Sequence, residues 1–200
     1  MAKISMTPGN DFCPQALFLY GTWKEDGTPE FGLFCWFSYA WVRGEQGDSF
    51  GAMACIGEEK LTKDLIRKNG MFSANLVTES LLPLADYYGN VHGRDNPDKM
   101  KRLPTVARGS VLDVPVIEES PVSFELKVLK EINVGPGSDV FLCEIRGLTQ
   151  DESLTDQQAP FSERLWRIAP VITAGTNTYF SLDRRFLGQW GEPMQTLEEI

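Results

Sequence analysis

Histidine is almost missing from this sequence. His92 is the only one in 200 residues, so zinc cages that draw on paired imidazoles lack their material, and a histidine-based triad would have to rest on His92 alone. Cysteine is sparse as well. Cys13, Cys35, Cys55 and Cys143 are scattered, with no Cys-x-x-Cys pair; this excludes the usual paired-ligand metal sites and fits free thiols in a reducing compartment. Positive charge is in deficit: 19 Lys and Arg stand against 28 Asp and Glu, a formal charge of −9. Nothing here forms a basic patch that would displace counterions from nucleic-acid phosphates or settle on an anionic membrane. A single bound phosphate needs only a few local donors and stays open. The longest uncharged apolar run, "FGLFCWFSYAWV" at 31–42, is too short to span a bilayer. The opening "MAKISMTPGND" lacks a signal-peptide core, and the expected location is cytoplasmic. No Gly-x-Gly-x-x-Gly follows a strand, and neither a P-loop nor a Gly-x-Ser-x-Gly elbow occurs. Rossmann, P-loop and α/β-hydrolase chemistry are thereby set aside.

What is present reads as strands first. "ALFLYGTW" (16–23) is a buried strand, the turn "KEDGTPE" signals a hairpin, and the aromatic run 31–42 reads as its partner. That run is apolar on both faces: either it is a central covered strand, or one face meets a cofactor or a second subunit. "FGAMACIG" (50–57) is a strand of small residues that permits close approach. "LTKDLIRKNG" (61–70) carries helix signals, with late Lys and Arg, Gly70 at the C-terminal cap place and Thr62 as the expected N-cap. "MFSANL" is a strand, and "ESLLPLADYYG" a helix in which Pro83 fits only the first turn. From residue 122 the period becomes two. Val122, Phe124, Leu126 and Val128 alternate with Ser123, Glu125 and Lys127, "NVGPGSD" turns the chain, and "VFLCEIRGL" returns as a long hairpin. The polar stretch 149–168 reads as loop plus a short helix. The expectation is an α+β fold, mainly β, barrel-like with short flanking helices, forming one domain over 1–200 whose segment from about 150 completes the barrel or a dimer.

Four pieces, in unbroken order, resemble the flavin reductase-like family with its FMN-binding split β-barrel, and within it the flavoredoxin-type branch. They are "CPQALFLYGT" with "GTPEFGLFCWFS", "EEKLTKDLIRKNGMFSANL", "ADYYGNVHGRDNPDKM", and "SPVSFELKV…SDVFLCEIRGL" with the tail "YFSLDRRFLGQWG". The resemblance implies FMN as cofactor, NAD(P)H as a possible co-substrate and a homodimer. An FMN phosphate wants cations and free N–H groups at a helix start, and Lys60 and Thr62 stand at one; the alternative is a plain cap and a surface lysine. The flavin ring wants an apolar wall with backbone donors, which the run Leu33, Phe34, Cys35, Trp36, Phe37 and Ser38 offers. Trp36 either packs on the flavin or belongs to the core. Asn75 either donates its amide to the flavin or caps the following turn. Tyr88 stands where the family commonly has cysteine. Arg94 of the Gly-Arg-Asp loop either reaches a cofactor or pairs with Asp95 or Asp98, and His92 reads as a loop residue. Gly57 stands where relatives carry arginine, "VRGEQGDSFG" replaces their Asp-Pro-Pro turn, and Asp183 replaces a frequent glycine; these departures bear on cofactor affinity and access.

The implied activity is an NAD(P)H-dependent flavin or ferric reductase, passing electrons through FMN to free flavin, a ferric complex or an acceptor protein. Positioning would dominate, and no acid, base or metal ligand is identified. The rival expectations are an FMN-holding electron carrier reduced by a protein partner, and a split barrel that has lost flavin for another ligand.

Overall fold

The computed structural model describes residues 3–5, 7–10, 13–45, 47–175 and 178–187. In chain order it runs β1 (Gln15–Ala16), β2 (Phe18–Trp23), β3 (Pro29–Phe34), β4 (Phe37–Gly44), β5 (Gly47–Gly57), α1 (Leu61–Asn69), β6 (Met71–Leu76) and α2 (Leu82–Asn90). It continues with β7 (Val106–Arg108), β8 (Pro115–Ile117), β9 (Val122–Gly135), β10 (Ser138–Gln150), α3 (Phe161–Ile168), β11 (Val171–Ala174) and β12 (Thr178–Ser181). Seven strands form one antiparallel sheet in the order β3-β2-β6-β9-β10-β5-β4, with β1-β11-β12 and β7-β8 as smaller sheets.

The sheet curls on itself. β3 and β4 lie at its opposite ends yet are joined by only Cys35 and Trp36. They share no ladder, but Phe37 of β4 packs its ring 4.6 Å from that of Phe18 on β2. This is a split barrel, mainly β, as the sequence predicts. The single aromatic strand expected over 31–42 is corrected: it is two strands, broken where the Phe37 amide turns back to the Cys35 carbonyl at 2.9 Å and the Cys55 amide bonds the Trp36 carbonyl at 2.8 Å.

Period-two alternation explains two cores on either side of one strand. Phe18 and Tyr20 of β2 enter the barrel interior with Phe34, Ile56, Phe72, Leu126 and Phe141. Leu17 and Leu19 face outward beneath Ala85 and Tyr88 of α2, with Phe31 and Ile117. The outward face of β9 is covered too. Glu125 is fully buried, accepting hydrogen bonds from the amides of Ser110, Val111 and Leu112 and from the Ser110 hydroxyl. Alternation gives the two faces; it is the β7–β8 excursion that buries the polar one.

The helix α1 ends on Gly70 in the left-handed region at φ 65°, a conformation glycine adopts without steric cost. Its start differs from the expectation. Lys60 occupies the N-cap position, while Thr62 sits inside the first turn and is buried. Pro83 falls in the first turn of α2, as required.

Candidate functional site

Three ion-paired side chains hold α1 in place. The fully buried Lys63 donates to Asp139 at 2.6 Å and lies 3.3 Å from Glu59. Arg67 bridges Glu59, Asp139 and Glu131, and Lys68 pairs with Glu25. The hydrogen bond from Lys63, together with Asn133 and the Arg67 charge, holds the Asp139 carboxyl below the ordinary carboxylate range although burial works the other way. The cations on the facing loop are also taken. Arg94 pairs with Asp64. The buried Lys99 donates to Glu30 at 3.0 Å and to the Phe31 carbonyl at 2.5 Å, its pKa lowered by burial and partly restored by Glu30.

Lys60 is the exception: among the described residues its ammonium forms no ion pair or side-chain hydrogen bond. It stands at the positive end of the α1 dipole. The Lys63 and Asp64 amides bond its carbonyl at 3.0 and 3.3 Å, which leaves the first-turn amides of Leu61 and Thr62 without intrahelical partners.

Lys60 also lies where two cavities meet. A small polar one of about 50 Å³ is enclosed by the α1 start, Tyr88, His92 and the Gly93-Arg94-Asp95 loop. A larger one of about 420 Å³ is lined by Leu17, Leu33, Phe34, Cys35, Asp86, Gly89, Asn90, Thr173 and Tyr179 as well as Lys60. A third, of about 130 Å³, follows Cys35 and Thr173 past Trp36 toward Cys13 and Gly175. Together they make a cleft with an anion-accepting end and a broader end beside the break in the barrel. Tyr179 donates to Asp86 at 2.6 Å in its wall, and burial, then that carboxylate, push the phenol up to about 12. Burial pushes up the Cys35 thiol.

The structure sorts the residues singled out in the sequence. Lys60, Thr62, Tyr88 and Arg94 gather round the polar cavity, and Leu33, Phe34 and Cys35 line the broader one. Trp36 is 47 % exposed beside the third cavity, so it is not a core residue. Phe37 and Ser38 leave the cleft: Phe37 packs into the barrel on Phe18 and Phe124, and Ser38 is exposed on β4 opposite Met53. Of the wall expected over 33–38, four residues, Leu33 to Trp36, line the cleft, because the chain crosses the barrel split at 35–36. Asn75 is spent inside the fold. Its amide donates to the Leu19 carbonyl and the Ser73 hydroxyl, both at 3.0 Å, and its carbonyl accepts from the Ile117 amide and Ser123. The Tyr88 hydroxyl donates to the Arg102 carbonyl and its ring stacks on Phe31, so it builds the cavity floor. Arg94 pairs with neither Asp95 nor Asp98 but with Asp64 on α1. Asp86, Lys99, Thr173 and Tyr179 escaped the sequence reading. Asp86, Lys99 and Tyr179 lie inside quoted motifs, whereas Thr173 arrives by tertiary folding alone.

Comparison with known proteins agrees with this geometry. The structure resembles flavoredoxin of Methanosarcina acetivorans (20% identity, TM-score 0.82, covering 99% of this chain and 100% of that one). It also resembles flavoredoxin of Desulfovibrio vulgaris (25% identity, TM-score 0.79, 96% and 98%). An uncharacterized protein of Aeropyrum pernix is 33% identical over 94 residues, covering 46% of this chain and about a third (35%) of that protein's length. The sequence profile described as "Flavin reductase like domain" matches residues 20–166, from the first strand of the barrel through the helix after the long hairpin. This chain belongs to the flavin reductase-like domain family.

Proposed function

We propose that the chain binds FMN, with the phosphate at the α1 start and the ring system in the broader cavity beside Cys35 and Trp36, and that it acts as an NAD(P)H-dependent reductase serving free flavin, a ferric complex or an acceptor protein. The observation that carries this reading is Lys60. In a chain of charge −9, it is a cation without a counter-ion at a helix N-terminus, facing a polar recess. A dianionic phosphate satisfies the ammonium and the two first-turn amides together. The cavity of about 420 Å³ lies in the range of small-molecule sites.

When bound, FMN supplies two-electron chemistry that needs no protein acid or base. The protein's share is to bind, orient and shield. Lys60 and the α1 amides anchor one end; Leu33 and Cys35 present an apolar wall; and the Asp86–Tyr179 pair fixes a polar edge. Purified protein should therefore show a flavin spectrum, or acquire one on adding FMN. Anaerobic NADH or NADPH should then bleach it. A protein that stays colourless after FMN addition refutes cofactor binding, while a flavin bleached by neither nucleotide points to the electron-carrier reading.

A homodimer forms part of this proposal. β4 and β5 expose Tyr39, Trp41 and Phe50 on one face, with Trp41 and Phe50 stacked at 4.4 Å and 72 % and 59 % exposed. So much aromatic surface in one patch marks an interaction face. Analytical ultracentrifugation should find a dimer that Trp41→Glu dissociates; a monomeric wild type removes this part.

A further inference from the structure

On the other side of Phe37 lies a cavity of about 510 Å³ that the flavin reading does not use. Its walls are the aromatic cluster Phe18, Phe37, Tyr39 and Phe124 on the barrel side and the apolar edge of α3, including Leu165, on the other. One cation, Arg164, lines it. The Arg164 Nη1 donates to the Leu154 carbonyl at 2.8 Å, and its guanidinium carbon stands 5.7 Å from the Phe161 ring centre. The Nε is buried without any hydrogen-bond partner. Among the described residues Nη2 is equally unbonded, and no carboxylate pairs with Arg164, although acidic residues outnumber basic ones in this chain.

A guanidinium offers its Nε and Nη2 hydrogens as a parallel fork that matches the two oxygens of a carboxylate. Here Nη1 is taken by the Leu154 carbonyl, and the edge suited to a carboxylate has no partner in the protein: its Nε is buried, so a carboxylate reaches Arg164 first through Nη2. A buried donor without an acceptor is costly, and a ligand that satisfies it recovers that cost. We propose that this cavity is a second ligand site, taking a small apolar carboxylate whose ring or chain lies among Phe18, Phe37, Tyr39 and Phe124 and whose carboxylate meets Arg164. The cavity shares no lining residue with the two that meet at Lys60, and the proposal does not rest on the flavin reading.

The test is calorimetric titration of the full chain with 1-naphthoate and with its neutral isostere 1-naphthalenemethanol, each with and without FMN. Naphthoate should bind at least tenfold more tightly than the alcohol, whether or not FMN is bound. Arg164→Gln should abolish that difference, and Leu165→Trp, which fills the cavity, should weaken both ligands at least tenfold with an unchanged circular-dichroism spectrum. Absence of naphthoate binding, equal affinity for acid and alcohol, or affinities untouched by Leu165→Trp would overturn the proposal. The acid-versus-alcohol comparison is made on the unaltered protein, so it holds even if a variant fails to fold.

Discussion

The helices α1 and α3 are alike in length and amphipathicity and opposite in how the protein uses them. α1 buries Thr62, Lys63 and Ile66 and is bolted to the long hairpin through Asp139 and Glu131. α3 buries none of its residues and stands over a cavity, with Phe161 69 % exposed. Both are rich in charge, but α1 spends its cations on partners and leaves one at its start, whereas α3 leaves half of one guanidinium unused. A helix fixed this firmly can present its N-terminus to an anion with little loss of order on binding. A helix with no fully buried residue, tied down through the Arg164 and Arg167 bonds to the Leu154 and Ser153 carbonyls, suits a cover over an apolar space, and such elements open locally at low free energy.

The largest effect that would break this contrast is at Lys63. Lys63→Met removes the closest cation from the buried Asp139 carboxylate, leaving it Arg67 and Asn133, and should cost about 3 kcal/mol, the upper end for a charged hydrogen bond, read from urea unfolding. A loss under 1 kcal/mol would mean that the anchor is not the ion pair. The same pair has a pH signature. Because the folded Asp139 carboxyl sits below its ordinary value, its contribution is complete above the unfolded value of about 3.9 and fades as pH falls through the folded one. The stability gap between wild type and Asp139→Asn should therefore be constant near neutral pH and close under acid conditions.

Next comes Lys60→Ala, expected to reduce FMN affinity by about 1.5–3 kcal/mol, the worth of a charged hydrogen bond. Its unfolding midpoint should hardly move, since the side chain has no partner to lose. Fluorescence titration of FMN checks this, and unchanged affinity would place the phosphate elsewhere. Thr62 is a poor companion mutation, because it is buried and its loss would mix packing with binding. Arg94→Ala sharpens the comparison further. The exposed pair with Asp64 contributes at most about 1 kcal/mol to stability, so a larger fall in FMN affinity than in stability marks Arg94 as a ligand group. On the other helix, Phe161→Ala should change stability by less than about 0.5 kcal/mol, and amides of α3 should exchange faster than those of α1. The smallest effect is at Gly57, where an added Cβ would find only the Gly137 carbonyl, 4.0 Å away. Gly57→Arg should fit and tighten FMN binding by a few tenths to about 1 kcal/mol, typical of a partly exposed charge.

Much of the fold is legible in local pattern. The turn before β3, the α1 helix with Gly70 behind it and the alternating hairpin each follow from short-range rules about turns, caps and period. Lys60 too can be read, because a cation at a helix start is a local fact. Asn75 and Trp36 cannot be assigned that way. Whether a buried amide is free or spent depends on Leu19, Ile117 and Ser123, which are brought to it by three different strands. Whether a tryptophan is core or cleft depends on where the barrel splits.

By itself, the sequence determined the long strands and the helices, their order and the family, since hydrophobic period, turn chemistry and ordered motifs act over a few residues at a time; the break at 35–36 and the short strands β7, β8, β11 and β12 were not in it. Tertiary structure alone decided which charges are satisfied. Lys63, Arg67, Arg94 and Lys99 find carboxylates up to 76 positions away, and only by subtracting these pairs does Lys60 stand out as an uncompensated cation. The same subtraction leaves the unpartnered edge of Arg164. Charge pairing is set by distance in space and by burial, and neither is written in the spacing of residues along the chain.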